Sequence, residues 1–142
     1  MCFVKDPNFK KHFVALEDIV CYKVLLNDDS SHNYYAPFIP FMYEVGKVYN
    51  EEYYERDVLF LDDGEELRWG VFHSCIDYGS ARRLFITVAF QCMELHNPLE
   101  PKICRCIIPK GSICWANDTE YASSAIKVLE EVKPFETIEL NL

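Results

Sequence analysis

Long apolar runs are missing from this chain of 142 residues. A helix that crosses a bilayer needs about 18 or more consecutive apolar residues, and the sequence has no such window. The opening residues, MCFVKDPNFKKHF, also lack the apolar core and the small-residue cleavage site of a signal peptide. The sequence therefore predicts a cytoplasmic protein without a membrane partner; if the protein is viral, the compartment is the host cytoplasm.

Positive charge is scarce: 14 Lys and Arg stand against 23 Asp and Glu, which gives a net charge of −9. An acidic surface repels the phosphate backbone of DNA or RNA, so we predict no direct binding of nucleic acid. The imbalance is concentrated in residues 51–66, where eight acidic residues accompany a single base, Arg56.

Disulfide and zinc signals are also weak. Seven cysteines are present, and an odd number without an export signal indicates reduced thiols, most of them buried as small apolar groups. The best candidate zinc ligands lack the CxxC spacing of a zinc knuckle, so neither a metal nor another cofactor is predicted. These candidates are Cys92, His96, Cys104, Cys106 and Cys114.

What the chain does contain is typical of one globular domain. Half of its residues are hydrophobic and 15% are aromatic, which is unlike a disordered chain. Its length matches the common size of a single domain. With no internal repeat and no linker, residues 1–142 are predicted to form one domain.

Most of the predicted elements are strands. Residues 19–26 are rich in β-branched and aromatic residues and end at the turn formers NDDSSHN. Further strands are predicted at 42–49 with a bulge or turn at Gly46, at 67–75, at 102–112 with a closing turn, and at 113–116. Residues 119–132 are ambiguous; we favour a turn near 122–124 followed by a strand.

One helix is predicted. Apolar residues recur at steps of three and four over 81–93, Asp77 offers an N-cap, and Asn97-Pro98 follows the end. Together the elements predict an α+β fold: a single compact domain with a mixed, mostly antiparallel sheet and one principal helix.

The stretch GVFHSC at 70–75 raises the question of catalysis. On a strand, His73 and Cys75 share one face and Ser74 points to the other. The Cβ atoms of His73 and Cys75 would lie roughly 6 to 7 Å apart, too far for a base to activate a thiol. No catalytic residue is predicted, and binding without catalysis is favoured over an enzyme.

A ligand site is nevertheless indicated. Tyrosine and phenylalanine crowd the first 54 residues, where such rings form a core, a pocket for a base, or a protein interface. The turn PKGS combines a cation, a glycine and a hydroxyl, the ingredients of a small anion site. Arginines near the start of the helix oppose its dipole, which suggests another use for them. The predicted ligand contacts are Tyr43, Lys47, Phe72, His73, Arg82, Lys110 and Ser112.

Three motifs carry a family resemblance. With YEVGKVY at 43–49, GVFHSC at 70–75 and CIIPKGSICW at 106–115, the chain resembles small uncharacterised proteins of phages and gut bacteria. In these proteins YEVGK, GFHSC-like and IPKGS motifs occur in the same order, and Val71 is an insertion relative to them. The resemblance implies a compact α+β module of phage or mobile-element origin.

The order of elements is also similar to that of ADP-ribosyltransferases. In that family a tyrosine-bearing first strand, a strand that ends in hydroxyl residues before a helix, and a late glutamate form the nicotinamide dinucleotide site. Tyr22, Ser74 and Glu130 take those places here. Lys23 stands where the family has an arginine or histidine, and no Glu-x-Glu motif is present.

These observations lead to one main hypothesis, a non-enzymatic binding protein of phage or mobile-element origin that sequesters a nucleotide-derived host defence signal. One alternative is an acidic inhibitor in which Glu51, Glu52 and Glu55 mimic nucleic acid towards a basic host protein. Another is a divergent enzyme that handles ADP-ribosyl groups. The partner is therefore either a small anionic, nucleotide-like ligand or a basic protein, and the sequence leaves homo-oligomerisation open.

Overall fold

The computed structural model describes residues 13–28, 33–37, 41–50, 58–60, 66–68 and 72–133. Within these ranges the chain forms one helix, α1 (Tyr78–Glu94), and twelve strands, so the predicted α+β class with one principal helix is confirmed. The strands are β1 (Phe13–Val14), β2 (Ile19–Asn27), β3 (Asn33–Tyr35), β4 (Met42–Glu44), β5 (Val48–Asn50), β6 (Val58–Phe60), β7 (Glu66–Arg68), β8 (Phe72–Cys75), β9 (Glu100–Ile108), β10 (Ile113–Ala116), β11 (Glu120–Ser123) and β12 (Ala125–Glu131).

Ten of these strands form one sheet, and every pairing in the described part of the chain is antiparallel. The order across the sheet is β1, β10, β11, β8, β2, β9, β12, β5, with β3 on β2 and β4 on β3. Strands β6 and β7 pair separately with each other. The centre is the long pair β2 and β9, whose register runs from Ile19 opposite Ile108 to Asn27 opposite Glu100.

The two faces of the sheet bury two separate clusters, because successive side chains of a strand point to opposite sides. The helix-side cluster contains Val24, Leu26, Cys75, Ala81, Val88 and Ile103. The other, which we call the thiol-rich cluster, contains Ala15, Cys21, Leu25, Tyr34, Tyr43, Tyr49, Phe72, Cys104, Cys106, Ile108, Cys114, Ile126 and Val128. The thiol-rich cluster takes its name from its four buried cysteines, Cys21, Cys104, Cys106 and Cys114.

Helix α1 starts where the sequence predicts. Asp77 has an extended backbone, and its carboxylate accepts a 2.7 Å hydrogen bond from the Ser80 N–H, as an N-cap does. The helix ends at Glu94, before the predicted Asn97-Pro98 boundary. It packs on β2, β8 and β9. Of the apolar positions used to predict it, Met93 points away from the sheet and is 70% exposed.

One predicted strand is divided in the structure, and another falls on two described strands with residues 69–71 outside the described ranges. Residues 42–49 form β4 and β5, separated by a turn at Gly46 (φ 87°), and the two pair with different partners. The prediction for 67–75 falls on β7 and β8. In the ambiguous stretch, β11 and β12 are separated at Ser124, whose N–H donates to the Ile113 carbonyl. The strand predicted after the turn is confirmed as β12, but the turn itself is shorter than predicted, because residues 122 and 123 belong to β11 and pair with β10 and β8.

Among the described residues, no helix is both long enough and apolar enough to cross a membrane.

Candidate functional site

Lys23 lies in the middle of β2, on the same face as the buried Cys21 and Leu25. Its side chain is half-buried, and Cys104 is directly opposite in the register. The ammonium donates a hydrogen bond to the backbone carbonyl of His73 and lies 5.4 Å from the centroid of the Tyr43 ring. In the part of the chain that the structure describes, no carboxylate forms an ion pair with Lys23.

Two further polar groups share this face. The register that pairs Tyr22 with Cys75 places Lys23 beside Ser74, and Tyr121 lies opposite Ser74 in β11. Ser74 is 4% exposed, and its hydroxyl makes no hydrogen bond of normal geometry with any described residue, although it lies close enough to the Cys21 thiol to lower the pKa of that group. We call Lys23, Ser74 and Tyr121 the Lys23 site; it combines one cation with two hydroxyl groups.

The cysteines near the Lys23 site are protonated at neutral pH. Burial raises the pKa of Cys21 to about 11 and that of Cys104 to about 12, and it raises the pKa of Cys106 well above the ordinary value. Lys23 lowers the pKa of each thiol, but burial dominates. Because the thiolate is the nucleophilic form, these cysteines are poor nucleophiles.

Tyr121 is affected by the same surroundings. Burial raises the pKa of its phenol, with smaller contributions from Cys21 and Cys114, so the hydroxyl stays protonated at neutral pH. A protonated phenol donates a hydrogen bond, as a serine hydroxyl does. The Lys23 site therefore presents donors, which suit an anion.

The candidate zinc ligands do not converge. Cys104, Cys106 and Cys114 belong to the thiol-rich cluster, whereas Cys92 packs against the helix-side cluster on the other face. His96 is exposed beyond the end of α1. Among the described residues, no group of three His, Cys, Asp or Glu side chains is arranged to hold a metal ion.

The structure brings together two of the predicted ligand contacts. The rings of Tyr43 and Phe72 lie 6.3 Å apart, edge to face, and both are almost fully buried. Phe41 packs against both rings. Of these three rings, Tyr43 lies next to the Lys23 ammonium, and all three rings pack against one another in the core.

Three other predicted contacts lie elsewhere. Lys47 is exposed, with its ammonium 5.2 Å from the centroid of the Tyr49 ring. Arg82 is exposed on α1. His73 is half-buried, and strand alternation directs its side chain to the face opposite Ser74, whereas its backbone carbonyl accepts a hydrogen bond from the Lys23 ammonium.

The PKGS turn is already satisfied internally. The N–H of Lys110 donates to the Asp18 carboxylate and the N–H of Gly111 donates to the Ala15 carbonyl, both at 2.8 Å. The Ser112 hydroxyl donates to the Pro109 carbonyl at 2.6 Å. These two backbone N–H groups and the Ser112 hydroxyl are thus bound within the protein, and the Asp18 carboxylate accepts from the turn as a bound anion would.

The alternative hypotheses involve other parts of the chain. Glu51, Glu52 and Glu55 lie outside the described residues, so the nucleic-acid-mimic hypothesis stays a prediction. Of the residues matched to ADP-ribosyltransferases, Tyr22 packs against Tyr78 at 6.2 Å on the helix side, whereas Ser74 faces the other side. Glu130 forms an ion pair with Arg105 on β9. These three side chains do not share one pocket.

Sequence reasoning missed Lys23 as a site residue, although a signal was present. In IVCYKVLLN, Lys23 is the single charged residue, and its neighbours at i−2 and i+2 are apolar. A lone cation on an apolar strand face must be neutralised, solvated or bound to something, which makes it a candidate.

Comparison with protein-family models, with curated proteins and with solved structures finds no match to this chain.

Proposed function

We propose that this protein binds a small phosphate-bearing ligand at the Lys23 site and does not convert it. The observation that carries the proposal is the half-buried Lys23 ammonium, which has a carbonyl and an aromatic ring as neighbours but no carboxylate among the described residues. Removing an ammonium from water is unfavourable unless an opposite charge compensates. A bound anion supplies that charge.

Two hydroxyl groups beside Lys23 complete the anion site. The Ser74 hydroxyl is buried without a hydrogen bond of normal geometry, and a ligand oxygen would accept from it. Tyr121 contributes a second hydroxyl on the same face. Hydrogen bonds to a charged partner are stronger than neutral ones, so a phosphate gains more here than a neutral ligand of the same size.

Binding without turnover is supported by the state of the thiols. Catalysis by a cysteine requires a thiolate, and burial keeps Cys21, Cys104 and Cys106 protonated. The resemblance to phage proteins supports a setting in which the ligand is a nucleotide-derived defence signal. In that setting the protein acts by lowering the free concentration of the signal.

Calorimetry with the full chain tests the proposal. The probes are inorganic phosphate, a cyclic mononucleotide, a cyclic dinucleotide and ADP-ribose. We expect at least one probe to bind, and Lys23→Met to weaken that binding roughly tenfold to hundredfold, because the variant keeps the aliphatic stem but loses the charge-assisted contact. The matched control is Lys133→Met, since Lys133 is an exposed lysine just after β12.

A second variant separates the roles of the two polar groups. Ser74→Ala should weaken the same probe. It should change the stability of the ligand-free protein by less than about 1 kcal/mol, because the lost hydroxyl makes no hydrogen bond of normal geometry with a described residue. Absence of heat and of a thermal shift with every probe would contradict the proposal. Equal affinity in Lys23→Met and in the unaltered protein would contradict it as well.

A further inference from the structure

The outer face of α1 is apolar. Ile86, Phe90 and Met93 are 51%, 61% and 70% exposed, and their spacing of four and three residues places them in one stripe along the helix. The opposite face of α1 already packs on the sheet through Ala81 and Val88. The outward face of a helix is normally polar, and a contiguous exposed apolar stripe marks an interaction surface.

The charges along this helix are also reversed relative to its dipole. Arg82 and Arg83 lie in its N-terminal half, and Glu94 is its last residue. Negative charge is favoured near the start of a helix and positive charge near the end, so Glu94 is unfavourably placed in an isolated copy. A second α1 in the opposite orientation would offset that penalty. The arginines in its N-terminal half would then lie beside Glu94.

The spacing of these groups matches such an arrangement. Arg83 and Glu94 are eleven residues apart, close to three full turns, so both lie on the same edge of the apolar stripe. If a second α1 runs antiparallel and the two-fold axis crosses near position 88, Arg83 faces the partner's Glu94. In the same register Ile86 faces the partner's Phe90. A two-fold contact of this kind requires a self-complementary surface.

We propose that α1 packs against α1 of a second copy, antiparallel, to form a weak homodimer. The stripe and its flanking charges extend over about 18 Å from Arg82 to Glu94. Stable interfaces bury about 800 Å² on each partner, more than one helix face of this length provides. The dimer is therefore weak, and the exposed ion pairs make it weaker at high salt.

Sedimentation equilibrium of the full chain tests for the dimer. Protein concentrations from about 10 μM to about 1 mM are used, because an interface this small gives weak association. The average mass should rise from the 16.7 kDa of the monomer towards twice that value. Phe90→Asp should keep the protein monomeric, because forming the dimer would bury the aspartate charge at the contact. Leu16→Asp is the matched control, since Leu16 is 82% exposed and lies outside α1. A mass that stays at 16.7 kDa throughout would overturn the proposal.

A charge exchange tests the antiparallel register. Arg83→Glu and Glu94→Arg should each weaken the dimer, and the double variant should restore it, because the ion pair forms again with its polarity reversed. Glu94→Arg has a second readout: it should leave α1 at least as stable by thermal unfolding, since a cation at the C-terminal end suits the dipole. Loss of dimer without recovery in the double variant would overturn this register.

Discussion

At the scale of single residues, Lys23 shows how a cation is accommodated on an apolar strand face. Its aliphatic stem lies between Cys21 and Leu25, which are fully buried, and its ammonium reaches the His73 carbonyl and the Tyr43 ring. Composition alone does not predict which neighbours the ammonium meets, because Tyr43 and His73 come from strands distant in sequence.

Two leucines provide a matched test of the core. Leu25 is 0% exposed at the centre of β2, whereas Leu16 is 82% exposed. Leu25→Ala should lower the free energy of unfolding by about 3 kcal/mol, since it removes buried methyl groups and leaves a cavity. Leu16→Ala should change it by less than about 0.5 kcal/mol. Urea unfolding at pH 7 measures both, and similar effects in the two variants would contradict the assigned core.

At the scale of elements, local signals predict boundaries better than partners. The start of α1 depends on Asp77 and the Ser80 N–H three residues away, and the sequence locates it correctly. The pairing of β4 and β5 is different. They are separated only by the turn at Gly46, yet β4 pairs with β3 and β5 with β12. Turn-forming residues indicate where a strand ends, but they do not determine which strand pairs with it.

Two glycines, one in a turn and one in a helix, provide a test of backbone conformation. Gly111 has φ 89°, and no atom lies within 4 Å of the place that a Cβ would take. Gly111→Ala therefore causes no steric clash with neighbouring atoms, and its cost comes from the positive φ, which alanine rarely adopts. We expect a loss of about 1 kcal/mol. Gly79 lies in the first turn of α1, where Ala is the better helix former, so Gly79→Ala should gain about 0.5 to 1 kcal/mol. Thermal unfolding should show shifts of opposite sign; a gain from Gly111→Ala would contradict the turn geometry.

At the scale of the whole molecule, the buried thiols predict a loss of stability in alkali. Cys21, Cys104 and Cys106 have a raised pKa in the folded protein, so above about pH 9 the unfolded chain loses protons that the folded chain retains. Below that pH these thiols are protonated in both states, so they should not make the free energy of unfolding depend on pH. It should then fall by roughly 1 kcal/mol for each thiol at pH 10.

Urea unfolding at pH 8 and pH 10 in the presence of a reductant measures this effect. Cys104→Ala serves as the control, because it destabilises the fold at both pH values and should show a smaller difference between them. If the unaltered protein and Cys104→Ala lose the same amount between pH 8 and pH 10, then the thiol at 104 is not responsible.

Local sequence signals and composition were sufficient to predict the fold class, the start of α1, the strand at β12 and the burial of most cysteines. Each of these depends on residues within a few positions of one another, or on composition. The position of β2 between β8 and β9, the contact of Lys23 with Tyr43, and the hydrogen bonds from the Lys110 and Gly111 N–H groups to Asp18 and Ala15 are seen in the folded protein alone. These contacts join segments many residues apart, and their formation depends on how the whole sheet closes its core.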